Sequence, residues 1–401
     1  MLLLRFHARF FLGKETKNHV LFSIRQGLAL LLLVAAVASA MSLFQHGLAW
    51  MQSWPMEGRV FQVLLLAPVL SLTHWVARRF YAHEPSGVPG IHHLMSDQAP
   101  QKNFTSGGWA FPLAWLSHAA AASVGREGIA LQWGAFIGNQ SFFSTYFSKE
   151  QALLIGMGAG FSAMFGTPLA GLVFVMEVFA TKKPSWIFLM ALGFSCVLAA
   201  WMSDALQVQH MVFPTLRLQE LTWTHLWAFV AVLIGAWLGT LLFKSGQKHL
   251  AAFFNRLFSP SVQAVWWVGL ALSGMMLWPF LFPYQGLGTE GMMAFYTTPA
   301  PWFAFLVKGG LTMVCLAVGF KGGEATPLFF MGAAWGSFMA SAFSLDAAWP
   351  AALGTTLFFS MAFKAPFACA ILAASWFGWP VFPIFLLAHL LAKWVTKKEF
   401  I

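Results

Sequence analysis

Long apolar runs separated by short polar stretches dominate the chain between residues 26 and 394. Several runs are close to the ~20 residues that an apolar helix needs to span a bilayer. Others are too short or too long for one straight span, which is typical of broken helices buried in a transporter. The pattern predicts an all-α integral membrane protein, with a polar loop at residues 78–106. The predicted apolar runs cover residues 26–44, 60–76, 109–124, 129–137, 152–180, 187–202, 226–243, 265–282, 302–320, 328–343, 347–363 and 367–394.

Composition agrees with a membrane location. Of the 401 residues, 59% are hydrophobic and 9% are charged, whereas a soluble domain has about 25% charged residues. The net charge of +10 fits the excess of Lys and Arg in cytoplasmic loops, and it gives no reason to expect nucleic-acid binding. We therefore expect a multi-pass protein of a bacterial-type inner membrane with both termini in the cytoplasm. The basic residues 1–25 would be a retained cytoplasmic segment.

Two motifs recur at almost the same displacement. The sequence FSAMFGTPLA begins at Phe161 and FSMAFKAPFA begins at Phe359, an offset of 359 − 161 = 198. Glu127 and Glu324 each follow a glycine by two positions, with an offset of 324 − 127 = 197. The matching offsets indicate a duplication, and transporter precedent favours inverted repeats. We expect a single membrane domain with a first repeat at 26–205, a connection at 206–225, a second repeat at 226–396, a short tail at 397–401 and no cytoplasmic regulatory domain.

The stretch GREGIALQWGAFIGN, which begins at Gly125, carries the candidate chemistry. A carboxylate at membrane depth is costly, so Glu127 is a functional candidate. Gly125 and Gly128 allow the backbone to turn and to approach a bound ion closely. The helix predicted after them would direct its N-terminal amides to the same point, which favours an anion. Anion and carboxylate would compete for one positive site, so that protonation changes the occupancy. The alternative is a structural ion pair between Glu127 and Arg126, which we disfavour because adjacent side chains rarely face one another.

Four segments in order resemble motifs of the CLC family of chloride channels and halide/proton antiporters. GREGIALQ is similar to the GREGPTVQ-type filter motif, and FGTPLAGLVFVMEV is similar to the APLAG-type helix that follows it. GFKGGEATPLFFMG at 319–332 resembles the third filter segment, and PSGVPGIHHLMSDQAP at 85–100 resembles the GSGIP segment. The resemblance implies a homodimer of two repeated, inverted halves with broken helices, in which each subunit has its own pore.

The resemblance also implies roles for individual residues. Ser86 would be the filter serine that contacts the anion, and Glu127 would be the gate that swings away when protonated. Glu324 and Thr326 match the fluoride/proton branch of the family, in which a second carboxylate carries protons and a hydroxyl donates to a small anion. The alternative for Glu324 is a structural pair with Lys321. The full predicted anion-binding set comprises Ser86, Gly87, Gly125, Arg126, Gly128, Ile129, Ala325, Thr326, Leu328 and Phe400, with no metal ligand or cofactor expected.

Three departures from the family pattern leave the mechanism open. Val178 stands where many chloride antiporters have an internal proton-transfer glutamate, and Glu177 lies one position earlier. The usual pore tyrosine near the C-terminus is missing, so that Phe400 is the nearest aromatic candidate. The filter serine, Ser86, is present, although the fluoride branch tends to replace it. Chloride and fluoride therefore both stay possible, and proton-coupled antiport has a passive anion channel as its alternative.

Other classes of protein have weaker support. His83, His92 and His93 lack the spacing and the acidic neighbours of a metal site. An intramembrane enzyme is disfavoured, because the chain has no GxSxG elbow and no paired serine and histidine segments. The sequence thus predicts a transporter rather than an enzyme, with lipid, halide ions and protons as its partners.

Overall fold

The computed structural model describes residues 14–54, 56–82, 84, 87–96, 104–181, 183–217, 222–258 and 262–396. Two predicted site residues, Ser86 and Phe400, lie outside these ranges, as do residues 1–13 and the tail at 397–401. Regular secondary structure in the described part is helical, apart from one isolated bridge between Gly125 and Gly323.

The described part of the first half contains ten α-helices. Their order and spacing place the candidate stretch at the start of the sixth. They are α1 (Lys14–Gln52), α2 (Met56–Leu64), α3 (Leu66–Phe80), α4 (Gly87–Met95), α5 (Thr105–Ala119), α6 (Glu127–Gly138), α7 (Ser141–Ser144), α8 (Lys149–Phe165), α9 (Pro168–Val178) and α10 (Trp186–Ala205).

The second half begins after a connection whose described residues, 206–217, have no regular secondary structure. It contributes eight α-helices in its described part. They are α11 (Trp223–Phe258), α12 (Val262–Met276), α13 (Thr289–Ala294), α14 (Ala304–Val318), α15 (Ala325–Ala342), α16 (Ala348–Phe363), α17 (Pro366–Phe377) and α18 (Phe382–Thr396). Short 3₁₀ turns at Pro279–Tyr284 and Trp379–Val381 complete the half.

The two halves repeat the same succession of helices. From α5 and α14 onward, the starting residues differ by nearly constant offsets: 304 − 105 = 199, 325 − 127 = 198, 348 − 149 = 199 and 366 − 168 = 198. The long helices α1 and α11 open the two halves. The repeated motifs of the sequence therefore correspond to repeated helices.

Several long apolar runs divide into two helices. The run predicted at 152–180 breaks because Gly166 adopts a left-handed conformation (φ 67°) and Pro168 starts a new helix. Glycine accepts this conformation without strain, and proline suits the first turn of a helix. The run predicted at 367–394 breaks in the same way at Gly378 (φ 106°). Short helices can then end inside the protein instead of crossing the whole bilayer.

The polar loop predicted at 78–106 is wrong in part, because it contains the helix α4 (Gly87–Met95). Ile91 and Leu94 are three positions apart and both are buried, which is the spacing of one helix face. Helix α4 packs against α6. The few apolar residues of this stretch are therefore enough to dock a helix beside the candidate site.

Glycines allow the helices around the centre to cross at very short distances. A Cβ on Gly156 in α8 would lie 2.8 Å from the carbonyl carbon of Gly134 in α6. In the second half, a Cβ on Gly354 in α16 would lie 2.9 Å from the carbonyl carbon of Gly332 in α15. These two crossings are equivalent, since 332 − 134 and 354 − 156 both equal 198. Small residues at such contacts are typical of helix packing in membranes.

Within the described residues, four helical segments are long and apolar enough to cross a membrane. Large apolar side chains on α10, such as Trp186 and Ile187, are highly exposed on its outer face, as expected of a lipid-facing surface. The four segments are Ser23–Gln52, Trp186–Ala205, Trp223–Phe258 and Trp379–Thr396.

Candidate functional site

The N-termini of α6 and α15 meet at the centre of the molecule. Gly125 and Gly323 form a reciprocal antiparallel contact, in which each amide donates to the other carbonyl at 2.6 Å. A Cβ on Gly128 would lie 2.9 Å from the Cα of Gly323, so the close approach requires glycine here. The ends of two helices, both with positive dipole potential, are thereby brought to one point.

Glu127 occupies this point. Its side chain is 3% exposed, and its Oε2 accepts from the amide of Thr326 at 3.0 Å and from the amide of Arg126 at 3.1 Å. The Thr326 hydroxyl donates to Oε1. A carboxylate therefore takes the position in which these donors would hold an anion.

Arg126 faces Glu127, contrary to the expectation that adjacent side chains point apart. Its Nε lies 3.6 Å from Glu127 Oε1, and both side chains are buried. The pair forms because the Glu127 side chain turns back over the amide of Arg126, which brings the carboxylate within reach of the guanidinium. The Arg126 guanidinium thus adds a positive charge to the site.

Three of the predicted anion-binding amides are used by the protein backbone. Gly125 donates to Gly323, Ile129 donates to the carbonyl of Arg126 at 3.2 Å, and Leu328 donates to the carbonyl of Glu324 at 3.0 Å. In this structure helix formation and the central contact satisfy these three amides, and their contact with an anion stays a prediction. Ala325 lies in the first turn of α15 and is buried beside Thr326.

Glu324 forms an ion pair with Lys244 of α11, not with Lys321 as the alternative prediction had it. The side chains of Lys244 and Glu324 are 28% and 13% exposed. The ammonium of Lys321 instead lies 5.6 Å from the ring centroid of Tyr81. Sequence analysis overlooked Lys244, although a lysine directly after the apolar run 226–243 indicates a charge that needs a partner.

Gly87 belongs to the same region, but its amide is also occupied. It begins α4 and donates to Gln132 Oε1 at 3.1 Å. Gln132 lies on α6, is buried, and donates to the carbonyl of Gly128 at 3.1 Å. Gln132 therefore connects the first filter segment to the second, a role that sequence analysis missed even though this glutamine lies within the GREGIALQ motif.

Glu177 contacts the start of α17. Its carboxylate accepts from the amides of Phe367 at 3.4 Å and Ala368 at 3.0 Å, in the first turn of α17. A carboxylate at a helix N-terminus stabilises that helix. Glu177 is thus held by α17 and is not directed toward Glu127.

A cavity of about 580 Å³ borders the turn that leads to Gly125. His118 and Ala121 line it on one side and Gly286 on the other, and the Gly286 amide donates to the Ala121 carbonyl at 3.0 Å. Behind the wall, the fully buried Lys308 donates to the carbonyls of Tyr284 (3.1 Å) and Gly286 (2.6 Å). The sequence analysis did not single out Lys308, whose amine holds these two carbonyls in place beside the turn.

No group of three or more His, Cys, Asp or Glu side chains in the described ranges is arranged to hold a metal ion. His92 packs against Phe179, with the ring centroids 5.0 Å apart. His83 lies outside the described residues.

Comparisons with known proteins agree with this geometry. Residues 69–397 match the sequence profile of the family described as voltage gated chloride channel. A chloride/fluoride channel protein of Pseudomonas syringae pv. tomato is 33% identical over 288 residues, which cover 68% of this chain and 62% of that protein. The matched segment is thus somewhat less than two thirds of the relative's length.

Solved structures share the fold. A CLC-type fluoride/proton antiporter superposes with a TM-score of 0.84 at 24% identity, over 93% of this chain and 95% of that chain. A slow cyanobacterial Cl⁻/H⁺ antiporter superposes with a TM-score of 0.79 at 20% identity, over 93% and 94% of the two chains. Because the family profile covers most of the sequence and includes all three filter segments, the chain belongs to the CLC family of voltage-gated chloride channels.

Proposed function

We propose that this protein transports halide ions, chloride or fluoride, across the membrane in exchange for protons, with Glu127 as the gate. The observation that carries the proposal is the Glu127 carboxylate, held by Thr326 and by the Arg126 amide where two helix N-termini meet. These groups favour any compact negative charge, so a halide would compete with the carboxylate for the same donors.

Competition of this kind links halide to protons. Protonation removes the negative charge of Glu127 and weakens its hold on the amides, so that a halide takes its place. Loss of the proton restores the carboxylate and expels the halide by repulsion. Alternating occupancy of the site by a proton-carrying side chain and by a halide is sufficient for exchange. The condition is that the side chain receives its proton from one side of the membrane while the halide enters from the other side.

The test is transport by the purified protein in liposomes. Chloride and fluoride efflux are recorded with ion-selective electrodes while external pH is followed with and without a proton shunt. We expect a halide gradient to drive protons uphill in the wild-type protein. Glu127→Gln should abolish proton movement and leave or raise the halide flux, because the neutral amide can neither carry a proton nor compete as a charge.

A matched control is Glu177→Gln, since this glutamate accepts from the amides of Phe367 and Ala368, and the single glutamine oxygen can still accept from the nearer one, Ala368. This variant should keep its proton coupling. If Glu127→Gln pumped protons at the wild-type ratio, Glu127 would not be the gate.

A passive halide channel is the second candidate, and Val178 favours it. The position of the internal proton-transfer glutamate is apolar, and the neighbouring Glu177 is bound to α17. A proton from the cytoplasm would then need another route to Glu127. Halide efflux without proton movement in the wild-type protein would support the channel.

Halide preference is decided by the same recordings. The Thr326 hydroxyl suits fluoride, a small ion that accepts strong hydrogen bonds, and the relative from Pseudomonas is named a chloride/fluoride channel protein. The presence of Ser86 follows the chloride branch of the family. Faster fluoride than chloride efflux would assign the protein to the fluoride branch, and the reverse order to the chloride branch.

We further propose that the protein is a homodimer of a bacterial-type inner membrane with cytoplasmic termini. The resemblance to CLC motifs and the excess of Lys and Arg over acidic residues support this arrangement.

A further inference from the structure

Glu324 is the N-cap residue of α15, but its side chain does not cap the helix. The amides of the first helical turn have no partner within the helix, so a side-chain oxygen at the N-cap position can accept from them, and the helix dipole favours a carboxylate there. In this protein an amide of the first turn, that of Thr326, donates to Glu127 instead. The absence of the usual cap leaves this amide available to the gate.

The ammonium of Lys244 explains why Glu324 does not cap α15. Lys244 Nζ donates to Glu324 Oε1, and the same ammonium lies 5.2 Å from the ring centroid of Phe363. Phe363 is the last residue of α16, which packs against α15, and α11 packs against both helices. The ammonium is thus held between an aromatic face and a carboxylate, and it draws the Glu324 carboxylate toward α11.

We propose that Lys244 is a positioning residue that keeps the Glu324 carboxylate away from the N-terminus of α15, so that only Glu127 and the transported halide compete for the Thr326 amide. This inference rests on the proposed function, since it assumes that a halide uses this amide. Without Lys244, a second carboxylate two residues from Thr326 would reach the same donors and would block the site.

Other charges surround Glu324, and three of them have contacts elsewhere. Glu127 contacts Thr326 and Arg126, Lys308 donates to Tyr284 and Gly286, and Lys321 lies over Tyr81. Acidification therefore acts on Glu324 through its own protonation and its pairing with Lys244. The charged or titratable residues on α15, in its adjoining turns and on the helices packed against it are Arg126, Glu127, His225, Lys244, Lys248, His249, Arg256, Glu290, Lys308, Cys315, Lys321, Glu324, Asp346 and Lys364.

The experiment uses the full-length protein in liposomes with Glu127→Gln as the background, which removes the gate carboxylate. Halide efflux of this background should be independent of pH. Adding Lys244→Met should lower the efflux about tenfold at neutral pH, as expected if the Glu324 carboxylate occupies the site roughly ten times as often as it leaves it. Acidification should restore the efflux, because a protonated Glu324 no longer competes for the amide.

Three further variants separate positioning from structural damage. Adding Glu324→Gln to the double variant should restore high efflux at every pH, whereas a misfolded protein would stay inactive. Lys244→Arg keeps the positive charge and should leave efflux independent of pH. Lys248→Met removes an exposed lysine one turn further along α11 and should have no effect.

The outcomes distinguish the two proposals. If Glu127→Gln carries no halide, the proposed function fails. If it carries halide and Lys244→Met leaves its pH profile flat, the positioning role of Lys244 is wrong while halide transport stands. An efflux that stays low at all pH values after Glu324→Gln is added would also overturn the positioning role.

Discussion

Thr326 contacts the Glu127 carboxylate with two donors, its amide and its hydroxyl. Thr326→Val removes only the hydroxyl and keeps the branched shape. A hydrogen bond to a charged group is worth ~1.5–3 kcal/mol, and ~1.4 kcal/mol corresponds to a tenfold change in affinity. We therefore expect the halide concentration for half-maximal efflux to rise at least about tenfold, measured from initial rates in liposomes.

Thr326→Ser is the matched control, because it retains the hydroxyl and loses only a methyl group. Its half-maximal concentration should stay close to that of the wild-type protein. Equal values for the valine variant, the serine variant and the wild-type protein would exclude the hydroxyl as a halide contact.

Single residues of the site differ in how well the sequence predicts them. Glu127 and Glu324 stand out because a carboxylate in an apolar segment is rare and costly. Their partners are harder to find: Lys244 is 80 positions from Glu324 and lies on another helix, and no local pattern specifies that pairing. The amides of Ile129 and Leu328 were predicted to face the anion, but in the structure both donate to backbone carbonyls of their own helices.

At the scale of helices, the site depends on close crossings between α6 and α8 and between α15 and α16. Gly156→Ala would place a methyl group 2.8 Å from the Gly134 carbonyl carbon, which forces two rigid helix backbones apart. Overpacking in a tight core costs ~1–3 kcal/mol. We expect a clear fall in the thermal midpoint of the detergent-solubilised protein, followed by fluorescence-detected size exclusion after heating.

Gly310→Ala is the control for this prediction. A Cβ at this position in α14 meets nothing within 4 Å, and alanine favours a helix over glycine by ~1 kcal/mol. The thermal midpoint of this variant should be unchanged or higher. A Gly156→Ala protein that melts like the wild type would mean that α6 and α8 can separate without cost.

Helices were predicted well as apolar segments and poorly at their breaks. The run at 152–180 was recognised as too long, but its division at Gly166 depends on a left-handed turn that tertiary packing selects. Helix α4 was missed because the polar residues around it hide the pair Ile91 and Leu94. Periodicity over nine residues is too short to separate a helix from a loop.

For the whole molecule, the antiparallel contact between Gly125 and Gly323 shows how the two halves are related. These residues are equivalent in the two halves, since 323 − 125 = 198, and each donates to the other at 2.6 Å. Equivalent residues that pair reciprocally are related by a two-fold axis through the pair, which agrees with the inverted repeats expected from the sequence. The duplication was visible in the sequence, whereas the meeting of its equivalent segments depends on the folded protein.

Within the chain, Glu127 contacts Arg126 and Thr326, and Glu324 pairs with Lys244 beside them. Contacts of this kind, made between residues of the same chain, are what a separate pore in each subunit requires. If the protein is a homodimer, each subunit should therefore carry halide by itself, and we expect light scattering of the purified protein to give the mass of two 44.2 kDa chains.

Mixed dimers test whether the two pores are independent. Wild-type and Glu127→Gln chains with different affinity tags are expressed together, and dimers that carry both tags are isolated and reconstituted. Because each gate acts within its own chain, the proton flux of the mixed dimer should be about half that of the wild-type dimer, and its halide flux should be the mean of the two parent dimers. A mixed dimer that moved no protons would instead require that the gates of both subunits act together.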